Sequence, residues 1–449
     1  MMRIFLCLSN MTGMQLMKIL QKLLLWITLT LATSCLNIAV LPPTATSTPV
    51  IPSTTIAILS PSPTISSSTP RQSHIANAHF LTNCLSINQV LSPNQILDGL
   101  VIFDNRAVIN GEIASGVVAL NLENQEKKQI QKEGERLLDF KESPDRTRVA
   151  YELAKHEQNG FVSFLVISTS DFKIEETIPW KKEWDRLLGW TDNTHIIFRK
   201  VERNVTLKNP KEIPPELIIF DTSTLEEKIL KPDFPDVYDS PNLPYWDGFG
   251  TVIYSPNLTR TVYMGWKDST QSTYTYVLWD MKSQQSLAIQ SVVGYPIPKW
   301  SPDGTQFITT GLIDHNFREL FSISKDGKID QLTYLSNYSS KIEIVSYSWS
   351  LNSQYIALLL VKQNDPKMAT VAVLDITTGI ITDYCVPITR EGDGYSNGFT
   401  PIWSPNSKQM IVQDWYSRDH RREILIDIVE NYAIKIAEEL EPLAWLKQP

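Results

Sequence analysis

Beyond about residue 97 the apolar residues come in short runs, β-branched and aromatic, punctuated by clusters of Ser, Pro, Asp, Asn and Gly. Residues 306–311 and 355–361 are two such runs, and their composition and length predict strands. Each follows a shorter, aromatic-ended strand and a turn written Ser-Pro-Asp-Gly or a close variant. Pro presets φ for such a turn, Asp or Asn bonds its own backbone, and Gly or a small residue closes it. Third strands are predicted at 319–324, 370–376 and 423–429. Tight turns at Lys325-Asp-Gly-Lys328 and Thr377-Thr-Gly379 then lead to fourth strands at 329–333 and 380–385.

This four-strand unit recurs. Trp300-Ser-Pro-Asp-Gly304 has counterparts in Trp349-Ser-Leu-Asn-Ser353 and Trp403-Ser-Pro-Asn-Ser407. Weaker copies lie around Ser143, Thr191 and Ser255. Four antiparallel strands per roughly 45–50 residues describe one blade of a β-propeller. Residues 99–104, 116–122 and 127–132 supply three strands with no inner strand before them, while 442–446 reads as an inner strand with no blade after it. The economical reading is an all-β, seven-bladed propeller of four-stranded antiparallel blades, closed by the C-terminal strand. The alternative is six blades with both chain ends peripheral.

The repeat resembles the WD40-like (PD40) propeller repeats of the TolB family, whose signature is Trp-Ser-Pro-Asp-Gly followed by an apolar strand. Residues 300–304 match it in full, and the resemblance covers roughly residues 98–446. It implies an interaction module of the cell envelope. No additional N-terminal α/β domain is recognisable, because residues 75–95 are too few to form one.

The first 34 residues have a different pattern. Arg3, Lys18 and Lys22 precede an apolar run at 23–31, then Ala32-Thr-Ser34 and Cys35, with no acid among them. The run suits an export signal and is too short to span a bilayer. It resembles a bacterial lipoprotein signal, which would make Cys35 the lipid attachment site, although Ala32 stands where the family prefers Leu. Met17 is an alternative start. Residues 36–70 contain no charge, Gly or aromatic side chain and are dominated by Pro, Ser and Thr. Such a tract cannot bury enough surface to offset its ordering entropy. The predicted organisation is a signal peptide over 1–34, a disordered linker over 35–75 and the propeller over 76–449.

The 449 residues are 42% hydrophobic and 20% charged, and 41 Lys plus Arg against 49 Asp plus Glu give a net charge of -8. The apolar content is enough for a large core. No basic excess is available to neutralise phosphates, so no nucleic-acid partner is expected. A monomer is expected.

Short turns join the first to the second strand and the third to the fourth of each blade, and these lie on one face of a propeller. The long, variable segments lie on the other face, for example 201–216, 231–249 and 386–399. Loops positioned by a rigid scaffold commonly carry binding residues. The ligand-face candidates are Trp184, Tyr238, Tyr245, Trp246, Tyr395 and Tyr416.

Candidate chemistry is sparse. Gly394-Tyr-Ser396-Asn-Gly398 matches G-x-S-x-G, but that nucleophile elbow needs a following helix, and a strand-forming stretch at 399–403 follows instead. Ser396 therefore reads as a loop residue, and no catalytic residue is assigned. Glu391 and Asp393 are too few for a calcium site. His74, His79, His156, His195, His315 and His420 form no tight ligand pair, so no metal or cofactor is expected. Cys84 and Cys385 permit one disulfide in an exported protein, with blade seven expected between their blades. The expected function is a lipid-anchored, non-enzymatic module that binds an envelope protein or peptide on the long-loop face. The alternatives are a glycan binder and a propeller enzyme acting on polysaccharide.

Overall fold

The computed structural model describes residues 80–448 except 89–96, 110–111, 133, 158–159, 201–215, 231–251, 267–273, 293–297, 314–316, 338–341, 390–399 and 418–419. Seven four-stranded antiparallel blades form the propeller ring. Among the described residues the sole helical element is the 3-10 turn Leu335–Asn337. Blade one runs from inside to outside through Glu441–Leu446, Leu100–Ile109, Glu112–Asn121 and Lys127–Gln129, so the C-terminal strand closes the ring. The inner strands of blades two to seven are Glu135–Glu142, Trp184–Trp190, Val252–Tyr254, Lys299–Trp300, Ile342–Trp349 and Ile402–Trp403.

The recurring form of the turn has a physical cause. Ser143, Ser255, Ser301, Ser350 and Ser404 are at most 1% exposed. Each hydroxyl donates to the Asp or Asn two residues on, as Ser350 Oγ does to Asn352 Oδ1 at 2.7 Å. Each also accepts from the backbone N–H five residues on, where the next strand begins. The residue three after the serine donates its N–H to the serine carbonyl and takes a positive φ between 54° and 67°. Glycine adopts that conformation at least cost, yet only Gly304 supplies it. Arg146, Leu258, Ser353 and Ser407 accept the strain in the other copies. Blade three departs from the pattern. Its Thr191 N–H bonds the carbonyl of His195, one residue nearer, and the turn is tighter.

The tryptophan of the repeat joins neighbouring blades. Trp190, Trp300, Trp349 and Trp403 each donate Nε1–H to a carbonyl on the inner strand of the preceding blade: Lys141, Ile253, Lys299 and Ser348, at 3.0–3.3 Å. In every case the acceptor lies two residues before that blade's turn serine. The core is likewise built between blades. In blade six, Ile356, Leu358 and Leu360 pack with Ile308 and Leu320 of blade five. The alternate residues Ala357, Leu359 and Val361 pack with Trp403, Met410 and Ile424 of blade seven. Both faces of the strand are buried, so it reads as an unbroken apolar run instead of an alternating one.

The chain before blade one takes a course the sequence does not announce. β1 (Phe80–Thr82) pairs in parallel with the outer strand of blade six, Ile380–Thr389. β2 (Ile87–Asn88) pairs in parallel with the outer strand of blade seven, Tyr432–Glu438. Asn83 and Leu85 donate backbone N–H bonds to the carbonyls of Asp383 and Tyr384. Cys84 is bonded to Cys385 within this strap. Blade seven therefore does not separate the two cysteines. The chain passes along the outside of blade six, and then of blade seven, before it enters blade one. Its unpaired backbone groups are satisfied on two outer edges that would otherwise be open.

Candidate functional site

Of the sequence-derived candidates, Cys35, Tyr238, Tyr245, Trp246, Tyr395 and Ser396 lie outside the described residues, as do Glu391, Asp393, His74, His79 and His315. Trp184 is corrected. It opens the inner strand of blade three and is fully buried. Its ring stacks on Phe198 at 4.3 Å and its Nε1–H donates to Glu227 Oε1. The ring fills the gap between blades two and three, in a cluster with Leu187, Phe198 and Phe220, and has no free face for a ligand.

Tyr416 is 44% exposed on the long-loop face of blade seven. Strands Gln409–Ser417 and His420–Asp427 meet in a short hairpin that stacks the rings of Tyr416 and His420, with centroids 5.9 Å apart and planes at 12°. The Arg422 guanidinium lies 5.8 Å from the Tyr416 ring and is held by Asp414 at 2.7 Å. His420 Nδ1 is 3.0 Å from Glu439 Oε1.

Blade two repeats this theme at the corresponding hairpin, between Arg148–Glu157 and Gly160–Thr169. There His156 and Phe161 meet edge to face at 5.2 Å, Phe161 is 57% exposed, and the Arg136 guanidinium lies 5.8 Å from its ring. Blades two and seven flank the closing blade, so two ring-and-guanidinium clusters stand on either side of it on one face. The blade-two cluster was missed in the sequence because Phe161 and Arg136 lie far apart in the chain and match no motif.

A third arrangement lies in the central channel. Inner strands line the channel of a propeller. Lys299 of blade five extends its ammonium to Thr400, which precedes the inner strand of blade seven, and donates to Oγ1 at 3.2 Å. Blades five and seven are not neighbours, so this bond crosses the channel in front of blade six. There Ser346 Oγ lies 3.5 Å from Thr400 Oγ1, and the Tyr347 ring lies 5.9 Å from the ammonium. Burial strips water from the amine and lowers its pKa to about 8. Among the described residues no carboxylate lies within ion-pair distance of it.

His195 sits on the opposite, short-turn face between Asp192 and Asp221, with Nδ1 2.9 Å from Asp192 Oδ2. Hydrogen bonds from Ser223 and neighbouring backbone groups hold the Asp221 carboxylate down at about 2. These bonds fold the turns. Among the described residues no three His, Cys, Asp or Glu side chains are grouped to hold a metal ion.

No family model matches the chain, and no curated protein matches it by sequence. Similar solved structures include TolB from Acinetobacter baumannii, 13% identical with a TM-score of 0.38 over 78% of this chain and 65% of that one. They also include oligogalacturonate lyase from Vibrio parahaemolyticus, 12% identical with a TM-score of 0.45 over 76% and 86%. A third is the β-propeller domain of the Trilobed protease from Pyrococcus furiosus, 13% identical with a TM-score of 0.39 over 70% and 84%. The class of the chain, a seven-bladed β-propeller, rests on its own sheet topology. None of the activities named by these similar structures is carried over to it.

Proposed function

We propose that the protein is a non-enzymatic binding module of the cell envelope, anchored by lipid at Cys35, that takes a protein or peptide on its long-loop face. The observation that carries this reading is the pair of exposed clusters on that face, Tyr416–His420–Arg422 and Phe161–His156–Arg136. Aromatic rings and arginines dominate the energetics of protein interfaces. The disulfide between Cys84 and Cys385 accords with an oxidising compartment outside the cytoplasm. The net charge of -8 gives no support to a nucleic-acid partner.

The test is capture from envelope extract with the full-length protein. The variant Tyr416→Ala with Phe161→Ala is compared with Asp326→Ala, on the exposed short-turn face. The captured partner is expected to be lost with the first variant and kept with the second; the reverse overturns the reading. Anchoring is checked by labelling cells with a radioactive fatty acid, where Cys35→Ala should abolish incorporation. Equal labelling of parent and variant would remove the lipid anchor.

A further inference from the structure

The Lys299 arrangement is not explained by folding. A lysine in an inner strand can extend along the channel wall and stay hydrated. Lys299 instead reaches in front of blade six to the Thr400 hydroxyl, over the Tyr347 ring. Among the described residues its neighbours are neutral: two hydroxyls, which can donate as well as accept, and one aromatic face. An ammonium that meets only neutral groups among the described residues is not compensated by them, in a protein whose overall charge is negative. Another cation of a described inner strand is matched differently: Arg186 faces Asp139 across blades two and three at 3.7 Å.

We propose that Lys299, Thr400 and Ser346 form a carboxylate-binding subsite in the central channel, which receives an acidic side chain or the C-terminus of a bound peptide. The three polar atoms suit one carboxylate: Lys299 Nζ would supply a charge-assisted hydrogen bond, and the hydroxyls would turn their protons toward the second oxygen. The Tyr347 ring supports the ammonium from one side without neutralising it. Lys299 serves here as a binding residue, and no bond is made or broken. The proposal rests on the reading of the protein as a peptide binder and specifies which peptides it prefers.

The experiment uses the full-length protein with three probes: an octaglutamate acetylated at its N-terminus and amidated at its C-terminus, the matching octaglutamine and a trigalacturonate. Octaglutamate is expected to bind at least tenfold more tightly than octaglutamine. Lys299→Met should abolish that preference, Lys299→Arg should restore much of it, and Thr400→Val should weaken it. As a check on the unmodified protein, acylation of Lys299 by an amine-reactive reagent, followed by peptide mapping, should slow with octaglutamate and not with octaglutamine.

If a partner is captured as described above but Lys299→Met leaves the glutamate preference unchanged, the subsite is wrong and the binding-module reading stands. If trigalacturonate alone binds and protects Lys299, both readings fall in favour of a glycan. Unchanged acylation with every probe also overturns the subsite.

Discussion

Val101 and Trp445 stand directly opposite one another in blade one, although one belongs to the first strand of the ring and the other to the last. Trp445 is fully buried, its Nε1–H donates to the Asp98 carbonyl at 3.0 Å, and its own carbonyl accepts from Arg146 Nη1 of blade two. The closing strand is thus gripped from both sides. Removing a buried tryptophan ring costs about 3–5 kcal/mol. Trp445→Ala should therefore lower the melting temperature substantially. Deleting residues 442–449 should lower it further, because the truncation also opens the edge of Leu100–Ile109. Calorimetry of the three proteins checks this, and a truncated protein that melts like the parent would contradict closure by this strand.

The bond from Trp403 to the Ser348 carbonyl can be separated from the packing of the ring. Trp403 is 2% exposed and stacks near Tyr355 of blade six. Trp403→Phe keeps an aromatic ring and removes the N–H. A lost hydrogen bond that leaves a buried acceptor costs about 1–3 kcal/mol, and the smaller ring adds a packing term. The expected result is a destabilisation in that range or slightly above it, measured by denaturant unfolding. No change would mean that the indole N–H contributes nothing to the blade junction.

Glu423 gives the fold a pH dependence. Its side chain is fully buried, Oε1 accepts from Gln413 Nε2 at 3.1 Å, and Oε2 has no hydrogen-bond partner among the described residues. Burial raises its pKa to about 8, helped by Glu439 and Glu441 and opposed by Gln413 and Arg421. The folded state therefore holds a proton that the unfolded state releases at about 4.5. Stability falls as pH rises between those two values and levels off above the upper one. Asp145, Asp192, Asp221 and Asp303 are shifted downward, and their contribution is lost only in acid below the usual carboxylate range. Melting temperature should thus be higher at pH 5.5 than at pH 8.5, and Glu423→Gln should flatten that slope. A slope unaltered by the substitution would assign the dependence elsewhere.

The strap over blades six and seven depends on the bond between Cys84 and Cys385, which are 301 residues apart in sequence. Chain entropy puts the stabilisation from closing so long a loop at about 6 kcal/mol as an upper figure, and measured values usually fall below it. Cys84→Ser with Cys385→Ser should lower the melting temperature. It should also speed amide exchange across residues 80–88 far more than in the inner strands. If exchange in the strap stays as slow as in the parent, its backbone pairing holds it without the disulfide.

The repeat, its four-strand composition and the closing role of residues 442–446 were legible in the chain because they rest on local chemistry. A turn serine with an Asp or Asn two residues later bonds its own backbone, wherever the rest of the protein lies. The same locality explains what was misread or missed. Trp184 looked like a ligand-face ring because its position at the end of a loop is visible in sequence, whereas its stacking on Phe198 is not. The tryptophan of the repeat was legible as a marker, but its bond to the preceding blade needs two chain segments roughly 50 residues apart to meet. The outward course of residues 80–88 was hidden because β1 and β2 are only three and two residues long and gain their partners from the far end of the chain. Lys299 shows the limit most clearly. Its place in an inner strand follows from Pro298-Lys299-Trp300 and the turn behind it, but only the packing of blades five, six and seven brings Thr400 and Ser346 to its ammonium. Local hydrogen bonds and side-chain volumes are written residue by residue, whereas the electrostatic environment of Lys299 exists only once three blades are packed side by side.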